Sequence, residues 1–318
     1  MRKTTLKGGS LGITELIELN DKKFVRKSIN CKKDREYGFI RWQSQLRKIQ
    51  RLNSLNPGLF PRIIDVGVDG ETYFYDMTFL EGYVDVKTYL SSNILKKSEV
   101  SELSNKVSES LEEIHRYSLP NIDSSPTLYF YEEVLSKIDD ARKYTQFEKF
   151  YYKSDITFMG KKVRGFLEME DRLLEYFSNS KLSRSCEIHG NTTLENIMYS
   201  PTKKKVIFID PYEESILESS IHDYSMVRQC SLHLYGLLND NFPNLTSNLR
   251  FLPSFSRDNF EIFDTRFLEG LNVDMRFLNI LQACQFFRML PFKCLGNQIE
   301  KSIFFYSYGC MILEKELF

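Results

Sequence analysis

Apolar and polar positions alternate through the first thirty residues. Thr4-Thr5-Leu6-Lys7 leads into Gly8-Gly9-Ser10-Leu11-Gly12, and the runs Thr14–Leu19 and Phe24–Ile29 follow on either side of Asn20-Asp21. A period of two, broken by Gly and by Asn-Asp, predicts strand, Gly-rich turn, strand, tight turn, strand. From Asp34 to about Leu52 the period lengthens: Phe39, Trp42, Leu46 and Ile49 fall on one helical stripe, with Asp34 placed to cap it. Pro57-Gly58 and Pro61 end that helix. Ile63–Val68 and Thr72–Met77 then read as two strands joined at Asp69-Gly70, a hairpin turn signal. From Glu81-Gly82 onward the pattern is helical, except over residues 186–211. The expectation is an α+β chain of two lobes. Residues 1–80 form a small antiparallel β lobe with one helix, and residues 81–318 form a larger, mainly helical lobe.

Composition narrows the partners. Among 318 residues, 43 Lys and Arg balance 43 Asp and Glu, so no basic field points to nucleic acid or an anionic membrane. The run Lys203-Lys204-Lys205 lies between two apolar segments, where a hairpin turn belongs. No window approaches the roughly 20 apolar residues of a membrane span, and Met1–Thr5 leads into no signal-peptide core. The six cysteines are scattered without a Cys-x-x-Cys pair, which fits a reduced, cytoplasmic chain with buried thiols. Runs such as Tyr129-Phe130-Tyr131 and Phe304-Phe305-Tyr306 read as core packing.

The chemistry concentrates in the non-helical stretch. Cys186-Glu187-Ile188-His189-Gly190-Asn191 is followed by Asn196-Ile197-Met198-Tyr199, the lysine turn, and Val206-Ile207-Phe208-Ile209-Asp210-Pro211. Two short apolar strands make a hairpin here, with Asn196 at the start of one and Asp210 at the end of the other. An amide oxygen and a carboxylate are hard ligands, and Mg²⁺ is commonly held by few such groups together with phosphates.

His189-Gly190-Asn191 with Asn196 resembles the His-Gly-Asp-x-x-x-x-Asn loop of the aminoglycoside phosphotransferase and choline kinase family, and Ile209-Asp210 resembles that family's second, metal-binding Asp. Leu111-Glu112-Glu113-Ile114-His115 resembles the helix end upstream of that loop, and Met77-Thr78-Phe79-Leu80-Glu81-Gly82 resembles the hinge. Asp223, in His222-Asp223-Tyr224-Ser225, matches an Asp that braces the loop from a helix start. The resemblance runs from about Gly8 to Asp223. It implies a protein-kinase-like fold, ATP and Mg²⁺ as cofactors, and transfer of phosphate to a small-molecule hydroxyl. By the same resemblance Gly8, Gly9 and Ser10 cover the phosphates and Lys27 holds them. Glu36 pairs with Lys27, the backbone from Met77 through Thr78, Phe79 and Leu80 meets adenine, and Asn196 and Asp210 hold Mg²⁺.

Each residue also has a plainer reading. Gly8-Gly9 alone is a turn, Lys27 alone faces solvent, Glu36 is a surface helix residue, and Asp223 is a helix cap. His189 reads as a brace for the loop. One departure bears on the chemistry: the family's catalytic Asp is Asn191, and an amide cannot take a proton from a hydroxyl. General-base help is worth about 10² to 10⁴ in rate. Three explanations stay open: a pseudokinase that binds nucleotide and acts through a partner, a different base with Glu187 and Glu195 nearest in sequence, or an introduced change. Tyr131 with Lys137, Asp223–Val227 and Phe287–Pro291 resemble phosphotransferase-like proteins of bacterial surface-polysaccharide gene sets, which implies a sugar or sugar derivative as acceptor. Arg228, Arg288 and Lys293 are the candidate acceptor-side cations.

Overall fold

The computed structural model describes residues 1–6, 12–30, 37–92, 94–119, 125–182, 185–213, 215–242, 256–296 and 298–318. Gly8, Gly9, Ser10, Asp34 and Glu36 lie outside the described residues.

Strands β1 (Arg2–Thr5), β2 (Ile13–Leu19), β3 (Lys22–Asn30), β4 (Ile63–Asp69) and β5 (Thr72–Thr78) form an antiparallel sheet in the order β1-β2-β3-β5-β4. Asn20 and Asp21, both at positive φ (47° and 61°), turn β2 into β3 with Leu19 opposite Lys22. Two left-handed residues match the twist of the paired strands, and Asn and Asp tolerate that conformation. Helix α1 (Tyr37–Leu55) lies on this sheet, burying Trp42, Leu46 and Ile49 against Ile29 and Tyr75 in a small core of their own.

The second part holds the larger core. After the short strand β6 (Val84–Asp85) come α2 (Val86–Leu90), α3 (Lys97–His115) and α4 (Pro126–Tyr129), which continues into a π-helical turn over Phe130–Leu135. Then follow α5 (Ser136–Arg142), α6 (Thr145–Tyr151), the hairpin β7 (Asp155–Phe158) and β8 (Lys161–Arg164), and α7 (Glu170–Asn179). The hairpin β9 (Ile197–Ser200) and β10 (Lys205–Phe208) joins β6 in a three-stranded sheet, order β10-β9-β6. Helices α8 (Ser220–Ser231), α9 (Tyr235–Asp240), α10 (Asp258–Glu269), α11 (Met275–Arg288), α12 (Leu290–Leu295) and α13 (Ile299–Leu317) complete the chain. Among the described residues no helix is long and apolar enough to cross a membrane.

The β7–β8 hairpin interrupts what the sequence pattern reads as continuous helix. It is held by Met159 and Gly160, both at positive φ, between strands of four residues each. Strands that short, one of them starting Lys161-Lys162, give too few alternations for the period to show.

Helix α11 is buried from Phe277 to Phe287 apart from Asn279, with Gln282 and Gln285 buried beside the apolar residues, so neighbours must cover every face of it. Helix α13 does so most closely at Gly309, where an added Cβ would lie 2.7 Å from Phe287 Cε1 and 3.2 Å from the Ala283 carbonyl oxygen. Phe287 is fully buried and cannot swing aside. Gly309→Val should therefore lower the unfolding free energy by about 1–3 kcal/mol, the usual range for overpacking. Urea denaturation of the variant checks this, and an unchanged midpoint would contradict the close α11–α13 contact.

Candidate functional site

The β9–β10 ladder pairs Ile197 with Phe208 and is extended by the Ile209 amide donating to the Asn196 carbonyl at 2.9 Å. That bond brings Asn196 and Asp210 to the same end of the hairpin. Asp210 sits at positive φ (57°), which turns the chain out of β10. Lys27 reaches across from β3 and donates to Asp210 Oδ1. Gln45 of α1 donates to the same oxygen at 2.8 Å and to the Pro211 carbonyl at 3.1 Å. Burial alone would raise the Asp210 carboxyl. The Lys27 charge and the hydrogen bonds from Lys27 and Gln45 outweigh it and hold the carboxyl below its usual range.

The loop before β9 is organised by Asp223, one turn into α8. Its fully buried carboxylate accepts from the His189 amide at 2.8 Å, the Gly190 amide at 2.7 Å and His115 Nε2 at 2.9 Å, while its carbonyl accepts from Thr192 Oγ1 at 2.7 Å. Burial opposes the charge, but these donors and the nearby histidines hold the Asp223 carboxyl down at about 2. Gly190 is at positive φ (78°), and a Cβ there would lie 3.0 Å from the Tyr212 carbonyl oxygen, so glycine is required on both counts. His189 is neutral: Nδ1 accepts from the Asn191 amide at 3.2 Å and Nε2 donates to the Ile209 carbonyl at 3.0 Å. Both ring nitrogens are thus engaged by backbone groups. Asn191 donates through Nδ2 to the Asp210 carbonyl at 3.0 Å, and its own carbonyl accepts from Asn196 Nδ2 at 2.9 Å. Lys27, Asn191, Asn196 and Asp210 thus form one connected group.

Three residues of α1 join this group without a sequence motif to announce them. Arg41, Gln45 and Lys48 follow one another at helical spacing and all reach the segment after β10. Arg41 Nε donates to Glu213 at 2.9 Å, Gln45 holds Asp210 and Pro211, and Lys48 Nζ donates to the Tyr212 carbonyl at 2.6 Å. Tyr75 OH donates to Gln45 Oε1 at 3.1 Å, which turns the amide nitrogen towards Asp210. Burial raises the Tyr75 phenol well above its ordinary value, so it remains a donor. Within its described span, α1 carries no acidic residue. The signal that could have found this face is a polar stripe one position behind the apolar stripe of Trp42, Leu46 and Ile49.

Of the residues that the sequence reads as a hinge, Met77 and Thr78 end β5, and the Thr78 amide donates to the Arg62 carbonyl at 3.0 Å; Phe79 and Leu80 follow directly. The acceptor-side candidates divide. Arg228 is buried and tied to Asp264 through two bonds of 3.1 Å, and Lys293 donates to Asn239 at 2.7 Å. Arg288 is held by Glu133 at 2.8 Å and lies 5.8 Å from the centre of the Tyr212 ring, beside the Asp210 segment. Glu187 pairs with Arg51 at 2.9 Å and Glu195 with Lys87 at 2.5 Å, so both carboxylates are engaged by cations.

The donor set suits Mg²⁺ arriving with phosphates. Oδ1 of Asp210 takes both Lys27 and Gln45, Asn196 uses its amide nitrogen on Asn191, and an amide oxygen and a second carboxylate oxygen remain for a hard cation. Among the described residues no group of three or more His, Cys, Asp or Glu side chains stands ready as a metal site. The pair fits an ion that brings most of its ligands with it.

No family model and no curated protein matches the chain. Among solved structures, the chain is similar to a protein described as a "Putative fructosamine-3-kinase" from Haemophilus somnus 129PT. The TM-score is 0.58 and the identity 12%, over 100% of this chain and 92% of that one. The chain accordingly has an α+β, two-lobed, kinase-like fold, with the antiparallel sheet in one lobe and most helices in the other.

The buried histidines make stability depend on pH. Burial, with Lys48 nearby and only partly offset by Asp223, lowers His189 to about 4. An unfolded histidine titrates near 6.5, so between about pH 4 and 6.5 the unfolded chain binds the extra proton. The contribution of His189 is complete above about pH 6.5 and is lost as pH falls towards 4. At pH 5 the 1.5-unit gap corresponds to about 2 kcal/mol. His189→Asn should therefore shrink the loss of unfolding free energy between pH 7 and pH 5 by about that amount. Urea titrations at the two pH values measure it; an identical loss in both proteins would mean that His189 protonates in the fold.

Proposed function

We propose that the chain is an ATP- and Mg²⁺-dependent phosphotransferase acting on a hydroxyl of a small molecule of the sugar class, in the cytoplasm. The observation that carries the reading is the convergence of Lys27, Asn191, Asn196 and Asp210 at one end of the β9–β10 hairpin. In this reading residues 1–80 hold the nucleotide, with adenine against Met77 to Leu80, and residues 81–318 supply the loop, the metal pair and the acceptor side. The similarity to a protein described as a "Putative fructosamine-3-kinase" supports a sugar-type acceptor. A role in surface-polysaccharide synthesis rests on the sequence resemblance.

Phosphoryl transfer passes through a loose transition state, so the protein mainly positions groups and balances charge. Lys27 would carry its ammonium from Asp210 to the phosphates. Asp210 and Asn196 would hold Mg²⁺, which supplies charge neutralisation. Gln45 and Lys48 keep the segment after β10 in place, and Asp223 keeps the loop rigid. Asn191 holds the Asp210 backbone at its positive φ rather than taking a proton. The commitment of that amide as a donor also favours a second reading, a nucleotide-binding protein that acts through a partner.

ADP release from Mg-ATP, followed with a panel of sugars, aminoglycosides and choline, tests both. In Asn191→Asp the new carboxylate cannot donate to the Asp210 carbonyl and must turn towards the acceptor. Transfer should rise by about 10² to 10⁴, while stability falls by about 1–3 kcal/mol with the lost bond. Background release from wild type and variant with every acceptor would sink the phosphotransferase and leave the binding protein.

A further inference from the structure

A cavity of about 890 Å³ opens between α7, the start of α8 and the start of α11. It shares no lining residue with the group around Asp210. Ser219, the N-cap of the 12-residue helix α8, lines it together with Ser220 and Ile221. The first amides of a helix have no acceptor within the helix and carry a partial positive charge, which favours an anion. A helix start alone would not make a site, but Ser219 adds an independent observation. Only 6% of it is exposed, yet its hydroxyl caps nothing and makes no hydrogen bond with any described residue. A hydroxyl on a cavity wall with no partner in the protein can donate to an acceptor held there.

The walls supply the charge to match. Arg172, Lys181 and Arg276 line the cavity, against the carboxylates of Glu175 and Asp274. Asp274 is already engaged by the amides of Arg276 and Phe277, at 2.9 and 3.1 Å. Arg172 gives Nη1 to the Leu317 carbonyl at 3.2 Å and Arg276 gives Nε to the Glu316 carbonyl at 3.0 Å, which fixes each guanidinium with further N–H groups to offer. Arg276 also lies 5.0 Å from the centre of the Tyr176 ring, another lining residue, so an apolar surface adjoins the cations. The volume is that of a small-molecule site.

We propose that this cavity binds a small phosphate-bearing molecule. Its phosphate sits at the start of α8, on the Ser219 hydroxyl and the first helix amides between Lys181 and Arg276, and its organic part lies along Tyr176. Lys181 and Arg276 are exposed, so reversing their charge leaves the core untouched. The site does not depend on the nucleotide reading of the Asp210 group.

The test is titration of the full chain with inorganic phosphate at constant ionic strength, followed by calorimetry and thermal shift without nucleotide or divalent metal. Wild type should bind phosphate at millimolar concentration or below. The double variant Lys181→Glu, Arg276→Glu should bind it roughly tenfold more weakly or worse, as expected when at least one charge-assisted contact is lost. Ser219→Ala should weaken it in the same direction, and Lys27→Ala should leave it unchanged. Circular dichroism confirms that each variant is folded. The proposal is overturned if wild type shows no binding at millimolar phosphate, if the double variant binds as wild type does, or if Lys27→Ala removes the binding.

Discussion

A carboxylate with no access to water remains charged only where donors replace its hydration, and Asp223 is the one around which the site is folded. Its two oxygens take two successive loop amides and the His115 ring, joining the loop to α8 and to the end of α3. Once the His189 and Gly190 amides are fixed, the remaining contacts follow in order. His189 can face the Ile209 carbonyl, Gly190 can pass beneath Tyr212, and Asn191 arrives beside Asp210. Removing one partner from such a buried network leaves the other groups unpaired, which is why the loop is rigid rather than merely placed.

The second constraint spans the two lobes. Kinase-like sites commonly pair the strand lysine with an acidic residue of the first helix, a role the sequence assigns to Glu36, outside the described residues. In its described span α1 offers Arg41, Gln45 and Lys48 to the segment after β10. Lys27 takes Asp210 itself as its counter-ion. Lys48 is buried, and desolvation lowers its ammonium while Glu218 and Asp223 work against that loss. A displacement of α1 would therefore disturb the Asp210 segment directly, through three hydrogen-bonded side chains.

Much of this was legible in the sequence because the informative residues carry local signals. Asn20-Asp21 and Asp69-Gly70 mark turns by backbone preference, Trp42, Leu46 and Ile49 mark a helix face by period, and Asn196 and Asp210 stand out at the ends of a hairpin. What was not legible depends on partners distant in sequence. Gln45 looks like any polar helix residue until Tyr75 and Asp210 are placed on either side of it. Arg228 looks like a free cation until Asp264 closes on it. The β7–β8 hairpin is too short for its period to register, and nothing local to His115 announces that it donates to the central carboxylate.

In the proposed function Lys27 and Asp210 meet because both serve one metal-bound nucleotide. Calorimetric titration of ATP, with and without Mg²⁺, tests it most directly in wild type, Lys27→Ala and Asp210→Ala. Mg²⁺ should tighten ATP binding to wild type, Asp210→Ala should lose that tightening, and Lys27→Ala should bind ATP more weakly under both conditions. ATP binding that ignores Mg²⁺ and both substitutions, or no ATP binding at all, would contradict the account.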